Sequence, residues 1–113
     1  MRINHDFHIH TNLSLCAAET VTAEHYINKA KELGLNKIGF TNHMWDENIQ
    51  PFLNRSYKIQ TVPYNLELRD ELKTLDKQGI KVYFGAEAEF HPIYGVALTE
   101  ENAEKFDYII VPN

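Results

Sequence analysis

The sequence predicts a parallel α/β fold, an open sheet or a barrel, and two observations carry that prediction. Short strand-like segments alternate with helical stripes along the chain. Histidines and carboxylates recur just after three of the apolar segments. Strands separated by helices imply right-handed βαβ units, and in such folds ligands gather at the carboxyl ends of the strands.

The elements follow in order. Residues 3–9 alternate apolar and polar, which is the period of a strand. Thr22 is placed to cap a helix with Glu24 in its first turn. Ala23, Tyr26, Ile27, Ala30 and Leu33 form its apolar stripe, and Gly34 stands where a left-handed residue ends it. LNKIGFT (35–41) is short and apolar and predicts a second strand. Residues 42–62 carry Asn, Gln and aromatics without a clear period and predict a long loop. Pro63 can open the next helix, with Tyr64, Leu68, Leu72 and Leu75 on one face and Gly79 closing it. IKVYFGAE (80–87) predicts a third strand, Thr99 a short capped helical turn through Lys105, and YIIV (108–111) a fourth strand. A buried strand like the last needs partners on both sides and a covering helix. The expectation is therefore one partial domain over residues 1–113, the front part of a larger one.

Composition narrows the function classes. A chain of 113 residues with 43% hydrophobic and 12% aromatic residues is globular and at most one ordinary domain. Eleven Lys and Arg against sixteen Asp and Glu give a net charge of −5, which disfavours a phosphate backbone or an anionic membrane as partner. No apolar run approaches a membrane span, and no basic segment precedes an export-type stretch. A single cysteine makes no internal disulfide, which favours a reducing cytoplasm.

The chemistry concentrates in three places. DFHIHTNLS (6–14) carries His8 and His10, two apart and so on one face of a strand, with roots roughly 6–7 Å apart. His43 follows the second strand in GFTNHMW, and Glu87 and Glu89 follow the third in YFGAEAEF. Imidazole suits zinc, iron or manganese, and a carboxylate such as Glu87 can give one oxygen to each of two ions. Asp6 can orient a ligand by hydrogen bonding. Taken singly, an HxH pair is most often structural, a loop histidine satisfied locally, and a Glu pair solvated. Their joint placement at three strand ends favours a metal site. His25, in a helical first turn, is expected to be exposed. His5 shares the parity of Phe7 and Ile9 and is expected to pack or face solvent. His91 is within reach of the rim but stands in a turn beside Pro92. Trp45 reads as loop packing, with an aromatic wall beside a substrate as the alternative.

These segments resemble the motifs of the PHP (polymerase and histidinol phosphatase) superfamily. DFHIHTNLS is similar to the first, D-x-H-x-H-T-x-x-S, GFTNHMW to the second, and YFGAEAEF to the third, G-x-E. The resemblance covers nearly the whole chain. It implies the N-terminal part of a distorted TIM-like barrel of seven β/α units, with about four parallel strands present and up to three divalent ions at the carboxyl rim of a complete domain. It further implies that His8 and His10 bind a first metal, that Glu87 bridges first and second, and that His43 binds a third. The position six residues after His10, often histidine in the family, is Cys16, a competent zinc thiolate or else a small buried thiol. Asn42 replaces the aspartate of the usual T-D-H, and Glu89 lines the pocket or supports a ligand. The activity implied is hydrolysis of a small phosphate monoester by metal-activated water, of the histidinol-phosphatase type and hence of histidine biosynthesis, with His8, His10 and Glu87 as the catalytic ligands. A PHP-type nuclease or polymerase-associated domain, or a non-catalytic fragment binding metal incompletely, are the alternatives. The acidic charge speaks against nucleic acid.

Overall fold

A computed structural model describes residues 3–14, 21–50 and 58–112. Its element order is β1 (His5–Ile9), α1 (Ala23–Leu33), β2 (Lys37–Met44), α2 (Val62–Leu72), β3 (Lys81–Ala88), β4 (Phe90–His91), β5 (Gly95–Val96), α3 (Glu100–Ala103) and β6 (Tyr108–Ile110). Strands β1, β2, β3 and β6 form one parallel sheet in that order, and β4 and β5 a small antiparallel hairpin. The alternating α/β order and the parallel sheet agree with the sequence reading, as an arc of a (β/α) barrel.

The helices form for local reasons. Thr22 accepts a hydrogen bond from the amide of His25, and Gly34, at φ 76°, closes α1 by donating to the carbonyls of Ala30 and Lys31. Thr61 caps α2, one position before Val62 and two before Pro63. The apolar stripes then pack on one side of the sheet. Ile27 and Ala30 of α1, and Val62, Leu68 and Leu72 of α2, share a single buried cluster with Ile38, Phe40, Phe84 and Ala86. One cluster serving both helices is what a barrel wall requires, whereas a doubly wound sheet would bury two faces.

Four departures from the sequence expectations have physical causes. First, β2 runs on to Met44, so Asn42 and His43 lie in the strand. Their pairing continues as Asn42↔Ala86, His43↔Glu87 and Met44↔Ala88. Second, α2 ends at Leu72. Thr74 turns back onto Glu71, Lys77 donates from Nζ to the carbonyl of Leu75, and Gly79 (φ 81°) belongs to the turn entering β3. Third, residues 90–96 make a hairpin that no strand-length pattern announces. Fourth, Phe7 and Ile9 do not share a face. Asp6 pairs with Ile38 but Ile9 with Phe40, so one extra residue bulges from β1. Asp6 Oδ1 accepts from the amide of His8 at 3.0 Å and holds that bulge. Ile9 therefore packs into the helix-side core, and Phe7 lies on the opposite face against Tyr83 and Tyr108.

That opposite face has its own logic. Tyr108 reaches from β6 across Gly85 and Gly39, and its hydroxyl donates to the carbonyl of Phe7 at 2.7 Å. A side chain on either glycine would occupy the space of its ring. Burial, with the charges of Asp6 and Asp107 next, pushes the Tyr108 phenol up, so it stays a neutral donor. The fourth strand is half-buried rather than fully buried, and among the described residues it pairs only with β3.

Candidate metal centre

The parallel register brings the carboxyl ends of β1, β2 and β3 level, and the polar residues meet there. His43 is paired in register with Glu87. Glu87 is 5% exposed, an extreme burial for a carboxylate, and its two oxygens face different partners. Oε1 lies 2.6 Å from His8 Nε2 and 3.8 Å from His10 Nε2. Oε2 lies 2.6 Å from His43 Nδ1, which is also 2.9 Å from Glu89 Oε1. The rings of His8 and His10 are 5.2 Å apart between centroids, and those of His10 and His43 4.4 Å. Two groups of donor atoms result, His8–His10–Glu87 and His43–Glu87–Glu89, each within 4.8 Å.

Burial, and then the neighbouring His43, hold His10 below the ordinary histidine value against the opposing pull of Glu87. A lowered value keeps the imidazole neutral near pH 7 with a lone pair to offer, which is the form that ligates a cation. The bulge at β1 assists geometrically. It turns His8, along with Phe7, toward the face that carries Glu87.

A layer of uncharged polar groups braces these side chains. Asn42 is 1% exposed. Its Oδ1 accepts from the amide of Thr11 (2.7 Å) and the hydroxyl of Ser14 (2.8 Å), and its Nδ2 donates to Thr11 Oγ1 (2.9 Å). Ser14 in turn accepts from the amide of His43. The residue standing where the family pattern has aspartate thus staples the loop after His10 to the strand bearing His43, and does so without charge. Two further supports were not legible in the sequence. Asn65, on the buried side of α2, donates to the carbonyls of His43 and Thr61, and Tyr64 donates to the carbonyl of Leu13 at 2.6 Å. The only sequence hint is that Asn65 falls on the apolar stripe of its helix.

The other expected residues divide. Asp6 touches the backbone of His8 and not its ring. Glu89 joins the cluster directly. His91 does not join it: its Nδ1 accepts from the amides of Ile93 and Tyr94, and its buried ring packs against Trp45. Trp45 is itself fully buried and donates from Nε1 to the carbonyl of Ile49, so it packs the loop rather than walling a cleft. His5 and His25 are exposed. Cys16 lies outside the described residues.

Asp46, just past β2, completes the frame. It is fully buried, and its carboxylate accepts from the amides of Asn48 and Thr99, the Thr99 hydroxyl and Asn102 Nδ2. Burial pushes its carboxyl up, but these four hydrogen bonds outweigh that and hold it below the ordinary aspartate value. The clamp ties the end of β2 to the start of α3, behind the hairpin that follows Glu89.

A family model described as PHP domain matches residues 6–111. The chain belongs to the PHP domain family. PHP domains are metal-dependent hydrolases that bind divalent ions, and the imidazole and carboxylate donors gathered here are the chemistry such ions require. No curated protein matches the chain. Among the described residues, no helix is long and apolar enough to cross a membrane.

Proposed function

We propose that this PHP domain hydrolyses a small phosphate monoester, in the manner of the histidinol-phosphatase-type members of the family. The observation that carries the reading is Glu87, whose two oxygens face two separate imidazole groups at the mouth of an open cleft. That cleft, about 610 Å³, runs past His8 and Glu87 between Asp6 and Phe7 on one side and Ile110, Val111 and Pro112 on the other. It is large enough for a small ester whose organic part is at least partly apolar.

Hydrolysis adds water across the P–O ester bond and releases an alcohol and inorganic phosphate. His8, His10 and Glu87 would hold a divalent cation, which supplies a lowered pKa for bound water and Lewis-acid polarisation of a phosphoryl oxygen. The chain's own residues do the rest. Neutral His10 offers nitrogen without first losing a proton. The bulge braced by Asp6 aims His8, and the Asn42–Ser14 staple keeps the spacing between His10 and His43. The net charge of −5 favours a small substrate over a nucleic acid. Zinc, manganese and iron all suit this donor set, and one cysteine in 113 residues fits a reducing cytoplasm.

The test is phosphate release from an aryl phosphate by protein loaded separately with Zn²⁺, Mn²⁺ or Fe²⁺, beside a single-stranded DNA substrate. His8→Ala should lose both bound metal and turnover. Normal metal content and rate in that variant would sink the assignment, and preferential cleavage of DNA would move it to the nuclease class.

A further inference from the structure

We infer that Tyr108 is a positioning residue for His8: from the far strand of the sheet, its hydroxyl fixes the Phe7–His8 peptide unit and so sets where the His8 imidazole stands. The inference rests on the reading of His8 as a metal ligand and names what holds that ligand in place.

The need for such a device lies in β1 itself. Asp6 is in register with Ile38 and Ile9 with Phe40, so Phe7 and His8 both stand opposite Gly39. A bulge in a parallel pair is rare and disrupts the ladder where it falls. The regular ladder therefore does not dictate the orientation of the peptide from which His8 hangs. Packing contributes little either, since the His8 side chain is 58% exposed. Its Nε2 nevertheless stands 2.6 Å from Glu87 Oε1.

Two side chains hold that peptide, one at each edge. Asp6 Oδ1 accepts from the amide of His8 at 3.0 Å, and the Tyr108 hydroxyl donates to the carbonyl of Phe7 at 2.7 Å. This amide and this carbonyl belong to one planar unit, which also contains the Cα of His8. Asp6 alone leaves the plane free to swing about a single hydrogen bond, and the second bond on the opposite edge removes that freedom. Asp6 is a near neighbour, whereas Tyr108 is 101 residues away from Phe7.

The sheet is shaped to let Tyr108 reach. Tyr108 pairs in register with Gly85, and its side chain crosses Gly85 on β3 and Gly39 on β2 before meeting β1. A Cβ at Gly85 would lie 2.8 Å from the ring, and one at Gly39 would overlap the hydroxyl itself. Glycine weakens a strand interior and marks places where another group comes close. Two of them lie on this one path, and the second is the residue that the bulge faces. Asp107 fixes the start of the path, exchanging hydrogen bonds with the backbone of Phe84 from its amide and its carboxylate, both at 2.7 Å.

The competing role for Tyr108 is to pack its ring against Phe7. Tyr108→Phe separates the two, because the ring stays and only the hydroxyl goes. Zn²⁺ affinity is measured by competition with a chromophoric chelator. In metal-free protein carrying ¹⁵N-histidine, the His8 ring resonances are assigned by their loss in His8→Ala. Tyr108→Phe should weaken Zn²⁺ binding about tenfold, the low end for a group that orients a ligand, and should shift the His8 resonances while leaving those of His25 in place. Thr22→Ala, which loses stability far from the bulge, should change neither. Gly39→Ala keeps the hydroxyl but displaces it, and should weaken Zn²⁺ binding by a similar factor. Zn²⁺ affinity within about twofold of the unaltered protein, or unmoved His8 resonances, in Tyr108→Phe would overturn the inference. Neither measurement uses a substrate. The expected results in a protein inert toward phosphate esters defeat only the phosphatase reading, whereas aryl-phosphate turnover with unchanged Zn²⁺ affinity in Tyr108→Phe defeats only this one.

Discussion

Asn42→Ala tests whether an uncharged staple sets the spacing of the histidines. The substitution removes three hydrogen bonds at a side chain that is almost fully buried. Their partners are affected unequally. Thr11 Oγ1 keeps the amide of Leu13 as a donor. The amide of Thr11 cannot reorient, and the hydroxyl of Ser14 loses its acceptor while still receiving the amide of His43. Two buried donors are thus left unsatisfied, each costing about 1–3 kcal/mol. With partial relief from entering water, the expected loss is about 3 kcal/mol, equivalent to roughly 12 °C in Tm for a chain of this length. Asn42→Asp retains both acceptor positions, and the Thr11 hydroxyl can turn to donate, so its loss should stay below about 1 kcal/mol. Urea unfolding at pH 7 measures both, and metal titration should show weaker binding in the alanine variant. A loss under about 0.5 kcal/mol for Asn42→Ala would refute the reasoning, since it would mean water replaces the staple at no cost.

Other outcomes follow from the same geometry. Asp46 has its carboxyl held below the ordinary value of 3.8, so its contribution to stability is present above that pH and is lost as pH falls through the folded-state value. An acid unfolding series should therefore show Asp46→Asn converging on the unaltered protein only below about pH 4, and parallel curves down to pH 2 would contradict it. Gly39→Ala would drive a methyl into the Tyr108 ring and to within 3.0 Å of Phe7 Cδ1, an overpacking cost of about 1–3 kcal/mol. In a Tyr108→Ala background that cost should largely vanish, and additive losses in the double-mutant cycle would count against the close approach. Thr22→Ala removes the cap on His25 N and should cost about 1 kcal/mol in denaturant unfolding without altering metal content. A changed metal count would imply that α1 reaches the site.

Much of the site was legible because strand periodicity places residues by parity. His8 and His10, His43, and the Glu87–Glu89 pair could be assigned to three strand ends from spacing alone, and capping chemistry marked Thr22 and Gly34. Parity failed at Asp6–Ile9, where one extra residue turned Phe7 away from Ile9. It also said nothing of Asn65 and Tyr64, because their roles depend on how a helix face meets a loop far off in sequence.

The sequence by itself determined the alternation of strands and helices, the acidic balance, and which residue types stand at the strand ends. Those properties are local, set by periodicity, caps and composition. Only the tertiary structure decided which atoms face one another. The in-phase pairing of His43 with Glu87, the division of the Glu87 oxygens between two groups, and the arrival of Glu89 at His43 all depend on register between strands some 40 residues apart. Such register is set by backbone hydrogen bonding and core packing over the whole sheet, and no single segment encodes it.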